Sequence, residues 1–77
     1  MRTISDIAKE IKQAWPKPNF GATPYLEAML QIHGGPDTMY YAESGRSIVS
    51  YFLCNAGTFR GEDAKRLKAE LKAMVEA

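Results

Sequence analysis

The stretch SGRSIVSYFLCNAG, residues 44–57, is the most apolar part of the chain and constrains its fold more than any other stretch. Its large apolar side chains recur at i, i+1, i+4, i+5 and i+8, which places them on one face of a helix. These residues are Ile48, Val49, Phe52, Leu53 and Ala56. Their β-branched and aromatic character leaves a buried strand over Ser47–Cys54 as the alternative. Ser44 or Ser47 can cap the start of such a helix and Gly57 suits a left-handed C-terminal cap, so we predict a core helix here.

Composition indicates one small domain spanning residues 1–77, because 45% of the residues are hydrophobic. Ten Lys and Arg against nine Asp and Glu give a formal net charge of +1, too little for the general phosphate attraction of a dedicated nucleic-acid binder. No stretch approaches the roughly 20 apolar residues of a membrane span, and the N-terminus is unlike a signal peptide. The single cysteine, Cys54, has apolar neighbours and is predicted to be buried. These features favour the cytoplasm and no membrane partner.

The N-terminal segment predicts an amphipathic surface helix. Thr3 and Asp6 form a capping-box pattern, in which each side chain can bond the backbone N–H of the other. Apolar residues then follow at three- and four-residue spacing as far as Trp15. Pro16 and Pro18 end the helix, because proline lacks an amide proton and disfavours helix in the residue before it.

A second helix is predicted from about Pro24 to His33, with Thr23 as its N-cap and Pro24 at its first position. Gly34, Gly35 and Pro36 end it.

The segment between the second helix and the core helix has two interpretations. Asp37 or Thr38 can cap a further helical turn over residues 39–42 that runs into the core helix. Gly45 would then lie inside a helix at a cost of about 1 kcal/mol relative to Ala, so a loop or kink is an equal alternative.

The last helix is predicted to open with Glu62 and Asp63, where the helix dipole favours acids. Its apolar seam consists of Ala64, Leu67, Leu71, Met74 and Val75. Glu62 with Arg66, and Arg66 with Glu70, have the i, i+4 spacing of helix ion pairs. The whole chain therefore predicts an all-α fold, a compact bundle of about four helices, with an α+β alternative if Ser47–Cys54 is a strand.

Residues suited to catalysis or metal binding are few. His33 and Cys54 are the single imidazole and the single thiol, and a helix-end histidine beside an inert core thiol explains both. Two such ligands do not make a structural zinc site. The sequence FGATP lacks the repeated glycines and the lysine of a phosphate-binding loop. We therefore expect no enzyme activity, no catalytic residue, no metal and no cofactor.

Two groups of residues are candidates for binding a partner. Lys65, Lys68 and Lys72 fall on one flank of the last helix, and Arg60 lies near its start. Glu70 and Glu76 on the same helix make a solvated surface the alternative interpretation of this flank. The second group is Tyr40 and Tyr41, since paired aromatic residues often anchor protein interfaces. Their alternative is burial against the core.

Two blocks of the sequence carry a resemblance to a known group of proteins. They are FGATPYLEAM and SIVSYFLCNAGTFRGEDAKRLKAELK, preceded by IAKEIKQAW. With these blocks the chain resembles small proteins encoded in phages, prophages and other mobile elements of Gram-positive and gut bacteria. The resemblance covers nearly the whole chain and implies a bacterial host cell, but no catalytic residue. It implies by analogy a protein that binds and inhibits or redirects a larger protein, as anti-CRISPR and other anti-defence proteins do.

We therefore expect a non-catalytic interaction protein that binds a larger protein, with host defence machinery as one class of target. The candidate partner-binding residues are Tyr40, Tyr41, Arg60, Lys65, Lys68 and Lys72. A small nucleic-acid-associated regulator is the alternative function, and its binding would weaken steeply with salt. A structural component that self-associates as a homo-oligomer through an apolar helix face is the third.

Overall fold

The computed structural model describes residues 2–76, which form four α-helices and a two-stranded hairpin. The helices are α1 (Ile4–Ala14), α2 (Thr23–Leu30), α3 (Gly45–Asn55) and α4 (Glu62–Glu76). The strands are β1 (Met39–Tyr40) and β2 (Glu43–Ser44). Each helix packs mainly against two others, in the cyclic order α1, α2, α3, α4 and back to α1. The predicted bundle of four helices is confirmed, and the strand alternative for Ser47–Cys54 is wrong.

One apolar cluster fills the space between the helices. Its fully buried members include Ile4, Ile7, Ile11, Met29, Val49, Phe52, Leu67 and Leu71. Trp15, which follows α1, stacks on Phe59 with ring centroids 4.8 Å apart and meets Phe52 edge-on at 6.3 Å. The Trp15–Phe59 stack therefore ties the α1–α2 connection to the α3–α4 connection, at one end of the bundle.

The first helix follows its prediction. The Thr3 hydroxyl accepts from the Asp6 N–H at 3.1 Å, and the Asp6 carboxylate accepts from the Thr3 N–H at 3.1 Å. These two bonds are the predicted capping box. The bond from the Thr3 N–H to the carboxylate holds the pKa of Asp6 below its ordinary value. Trp15 is the C-cap, immediately before Pro16.

The second helix differs from its prediction at both ends. Its N-cap is Ala22, and Thr23 is its first residue, with a hydroxyl that donates to the Asn19 carbonyl at 3.1 Å. The helix begins earlier because the Asn19 carbonyl already accepts from the backbone of the turn that leads into it. It ends at Leu30, three residues before His33.

The segment before α3 is a hairpin, so of the two interpretations the helical turn over residues 39–42 is wrong and the non-helical connection is nearer to the structure. Strands β1 and β2 are antiparallel, with Met39 opposite Ser44 and Tyr40 opposite Glu43. Gly45 is the first residue of α3 and therefore not a helix-interior glycine.

The core helix α3 is confirmed, although its C-terminal details differ from the prediction. Ser44 is the N-cap and accepts from the Ser47 N–H at 3.1 Å. The C-cap is Ala56, and Gly57 has no positive φ, so the predicted left-handed cap at Gly57 is wrong. The glycine with a positive φ among residues 2–76 is Gly61, just before α4. Cys54 was predicted to be buried but is exposed, because it lies on the side of α3 opposite the buried stripe.

In α4, the buried residues are Ala64, Leu67, Leu71 and Met74, as predicted, while Val75 is partly buried. The predicted ion pairs are wrong in their partners. Arg66 pairs with Glu10 of α1 and with Asp63, and Glu70 pairs with Arg2. Glu10 of α1 and the i, i+3 neighbour Asp63 therefore replace the predicted partners of Arg66, and Arg2 replaces Arg66 as the partner of Glu70. No helix in the described part of the chain is long and apolar enough to cross a membrane.

Candidate functional site

The connection between α2 and β1, residues 32–38, binds the starts of two helices, and we call it the anchor loop. The Ile4 N–H donates to the Gly34 carbonyl at 2.9 Å, and the Ser5 N–H donates to the Ile32 carbonyl at 2.8 Å. The first N–H groups of a helix have no partner within it, so these two bonds satisfy donors that would otherwise be buried and unpaired. They also account for the early end of α2, because carbonyls 32 and 34 face α1.

The same loop binds the start of α3. The Gly45 N–H donates to the Thr38 carbonyl and the Arg46 N–H donates to the Pro36 carbonyl, both at 2.7 Å. Arg46 also pairs with Asp37 at 3.4 Å and donates to the Val75 carbonyl near the end of α4. The base of the hairpin is therefore fixed to α1, α3 and α4.

The tip of the hairpin displays Tyr41. This side chain is 89% exposed, and its backbone has φ 56°, the one positive φ of a non-glycine residue in the range 2–76. A positive φ at the first of two turn residues is the φ pattern of a type II′ hairpin turn, in which glycine is preferred at that position. A tyrosine there is held in a conformation that costs about 1–2 kcal/mol. The fold tolerates this cost while leaving the ring in solvent.

Tyr40 supports the exposed ring of Tyr41. It is partly buried and packs on the core, and the two rings meet edge-to-face with centroids 4.8 Å apart. An open groove of about 520 Å³ lies beside them and is also lined by Met39 of β1 and by Glu27 and Gln31 of the α2 side. We call these five residues the hairpin surface. The burial alternative therefore describes Tyr40, whereas Tyr41 is exposed and its role in binding a partner stays a prediction.

The lysine flank consists of Lys65, Lys68 and Lys72 of α4. Lys65 and Lys72 are exposed, and the Lys68 ammonium lies 5.6 Å from the centroid of the Phe59 ring. Across residues 2–76, every ion pair is made by an arginine, namely Arg2, Arg46 or Arg66, and none by a lysine. The flank is therefore a strip of unpaired positive charge.

The α1–α4 side of the bundle carries the opposite arrangement, in which charges are paired. The Arg66 and Arg2 guanidiniums hold the pKa of Glu10 below its ordinary value. Hydrogen bonds from Arg2 likewise lower the pKa of Glu70. These carboxylates stay ionised and neutralised, so α4 presents unpaired cations on its flank toward α3 and paired charges on its flank toward α1.

The six sequence-predicted residues fall on two surfaces and not one. Tyr40 and Tyr41 precede α3, whereas Arg60 follows it, and the 11 residues of α3 span about 16 Å. Arg60 is exposed, and its Nε donates to the Gly57 carbonyl at 3.4 Å. Arg60 therefore lies at the end of α3 away from the hairpin surface. The lysine flank runs from there along α4 toward Val75, whose carbonyl accepts from Arg46 at the start of α3.

A third exposed feature, which was not predicted from the sequence, lies at the turn before α2. Phe20 is 98% exposed, and Tyr51 of α3, also exposed, stacks on Tyr25 of α2 with ring centroids 5.5 Å apart. The signal that could have found Phe20 is its place in a proline-flanked turn, where no helix face is available to bury it.

His33 and Cys54 do not share a described site. His33 is exposed in the anchor loop, and Cys54 lies in a groove between α3 and α4 whose lining does not include His33. Within residues 2–76, no group of three or more His, Cys, Asp or Glu side chains is arranged to hold a metal ion.

Comparisons with protein-family models, with curated proteins and with solved structures gave no match.

Proposed function

We propose that this chain is a non-catalytic binding protein that attaches to a larger protein through the hairpin surface. The observation that carries the proposal is Tyr41, an aromatic side chain 89% exposed on a backbone in the left-handed region. Residues in strained conformations persist where the surrounding structure holds them, and they cluster at binding and functional sites. Glycine at this position would relieve the strain but would present no ring.

The geometry suits Tyr41 as an interface anchor. Tyrosine offers a large apolar ring with a polar hydroxyl, and it is enriched among the residues that dominate binding energy. The anchor loop and the Tyr40 contact hold the hairpin before any partner arrives, so little conformational entropy is lost on binding. The partner surface that fits is an apolar pocket with a hydrogen-bond acceptor or donor at its base for the phenol.

The resemblance to phage and mobile-element proteins supports one class of partner. Host defence machinery, which such proteins inhibit or redirect, is the target class we propose, and the action would be to occupy a surface of that larger protein. An exposed anchor on a fold of 77 residues suits occupation of a surface better than chemistry on a substrate.

The test is affinity capture from a bacterial lysate with and without nuclease, using wild type, Tyr41→Ala and Phe20→Ala. Phe20→Ala is the matched control, since it removes an exposed aromatic ring at the other end of α3. We expect a discrete protein that survives nuclease, is lost with Tyr41→Ala and is kept with Phe20→Ala. Circular dichroism checks that both variants are folded.

Two results would contradict this proposal. The first is capture of the same protein by folded Tyr41→Ala at wild-type yield. The second is loss of every captured protein on nuclease treatment, which would support a nucleic-acid-associated regulator and make the lysine flank with Arg60 its candidate surface. Mass measurement across concentration tests the remaining function, self-association.

A further inference from the structure

A second concave surface lies between α3 and α4, away from the hairpin surface. It is an open groove with a volume of about 460 Å³. Its lining comes from Ser50, Leu53 and Cys54 of α3 and from Lys68, Ala69, Lys72 and Glu76 of α4. Leu53, Cys54 and Ala69 give the groove an apolar floor, and two lysines stand at its side.

No carboxylate of the described structure pairs with the lysines of this groove. Arg2 and Arg66 pair with Glu10 of α1 and with Asp63 and Glu70, which lie on the side of α4 that faces α1. Between residues 2 and 76, neither Lys68 nor Lys72 has an ion-pair partner. An apolar floor beside two unpaired ammonium groups is complementary to an amphipathic segment that carries acids.

The spacing of the two lysines specifies the occupant further. Lys68 and Lys72 are four residues apart on α4, which separates them by about 6 Å along the helix axis. The Phe59 ring, itself buried and stacked on Trp15, holds the Lys68 ammonium by a cation–π contact. Two carboxylates at i and i+4 of a helix have the same separation and can face both lysines at once.

We propose that this groove binds an acidic amphipathic helix of a protein partner. Apolar side chains of that helix lie on Leu53 and Ala69, and carboxylates one turn apart pair with Lys68 and Lys72. Glu76 lines one end of the groove, so the occupant carries a neutral or basic side chain there, which sets its direction. This binding mode lays the apolar face of a helix into a groove. It does not depend on the hairpin surface.

A nucleic acid fits the same lysines less well. Apolar lining and the Glu76 carboxylate are unfavourable beside phosphates, and the net charge of +1 gives little long-range attraction. A short DNA duplex therefore serves as a competing probe in the test.

The test measures binding of a fluorescent 16-residue helical peptide with leucines at helical spacing and two glutamates one turn apart. The full chain is titrated against this peptide, against the same peptide with Glu→Gln, and against a 20-base-pair DNA duplex. We expect the charged peptide to bind at least tenfold more tightly than the Gln peptide. Lys68→Glu with Lys72→Glu should weaken binding at least tenfold, whereas Lys9→Glu with Lys12→Glu, the same charge change on exposed positions of α1, should change it less than twofold.

Cys54 supplies a readout inside the groove, because it is exposed and is the only cysteine of the chain. The charged peptide at saturation should slow alkylation of Cys54 by N-ethylmaleimide at least fivefold.

Equal binding of the charged and Gln peptides, unprotected Cys54, or tighter lysine-dependent binding of the duplex would each overturn the proposal. The peptide comparison uses the wild-type chain, so it stands even if a lysine variant fails to fold. Tyr41→Ala should not alter peptide binding, which keeps this result separate from the hairpin test.

Discussion

The backbone N–H of Gly45 donates to the carbonyl oxygen of Thr38 at 2.7 Å, which closes the base of the hairpin onto the first residue of α3. This contact requires the loop backbone to pass very near Gly45. A β-carbon built at Gly45 would lie 2.9 Å from the Gly35 carbonyl oxygen and 2.8 Å from Ile4 Cδ1. Because one of these atoms belongs to the backbone, the loop itself would have to move.

Gly45→Ala should therefore destabilise the fold, although alanine has the higher helix propensity. We expect a loss of about 1–3 kcal/mol in the free energy of unfolding, typical of overpacking at a buried position. Urea denaturation followed by circular dichroism measures it. Gly57→Ala is the control, because nothing lies within 4 Å of its β-carbon position and its φ is not positive. That variant should be neutral or more stable by up to about 1 kcal/mol. Equal stability of both variants would show that the loop does not pack as described.

Local signals account for the parts of the fold that the sequence predicts. α1 and α4 have apolar periodicity and acidic or capping residues at their starts, and both begin where predicted. The hairpin has no such signal, because Tyr41 and Ala42 replace the Asn-Gly or Asp-Gly pair that marks a two-residue turn. The anchor loop depends on carbonyls that face helices distant in sequence, so its hydrogen bonds could not be found from periodicity.

The candidate site likewise has features that the sequence predicts and features that it does not. The spacing of Lys65, Lys68 and Lys72 placed them correctly on one flank of α4. Their lack of ion-pair partners could not be predicted, because Glu76 follows Lys72 at the i, i+4 spacing of a helix ion pair and yet forms none in the described structure. The difference in exposure between Tyr40 and Tyr41 could not be predicted either, because it comes from the turn that directs one ring toward the core and the other into solvent.

Tyr41→Gly should stabilise the chain while it abolishes partner capture. Glycine adopts φ 56° without the steric cost that tyrosine has there, so we expect a gain of roughly 1 kcal/mol over Tyr41→Ala. Tyr41→Ala removes the ring but keeps the strained backbone, so it separates the two effects. Thermal denaturation gives the order of stability. A Tyr41→Gly chain less stable than Tyr41→Ala would contradict the assignment of strain.

Ser5→Ala should raise stability. Ser5 is buried, and its Oγ has no hydrogen-bond partner among the described residues. A buried hydroxyl without a partner costs about 1–3 kcal/mol, and alanine also has the better helix propensity. We expect the free energy of unfolding to rise by roughly 1 kcal/mol. Ser44→Ala provides the contrast, since loss of the α3 cap should lower it by about 1 kcal/mol. Destabilisation by Ser5→Ala would indicate that this hydroxyl has a partner in solution.

Acid should weaken the fold partly through Glu70. Arg2 donates to both carboxylate oxygens of Glu70, from Nε at 3.0 Å and Nη2 at 2.5 Å, and these bonds lower the pKa of Glu70 below its ordinary value. A carboxyl whose folded pKa is lowered stabilises the fold above its unfolded pKa, and this contribution is lost as the pH falls through the folded pKa. Wild type should therefore lose stability more steeply than Glu70→Gln as the pH falls below the ordinary pKa of glutamate, about 4.3.

Urea denaturation at several pH values measures that difference. Glu27→Gln is the control, because Glu27 is exposed in the middle of α2 and makes no ion pair within residues 2–76. Its slope with pH should follow the wild type, since the substitution leaves the Arg2–Glu70 bonds in place. If Glu70→Gln also followed the wild type, Arg2 would not bind Glu70 in solution. The first residues would then not be held to α4 by this pair.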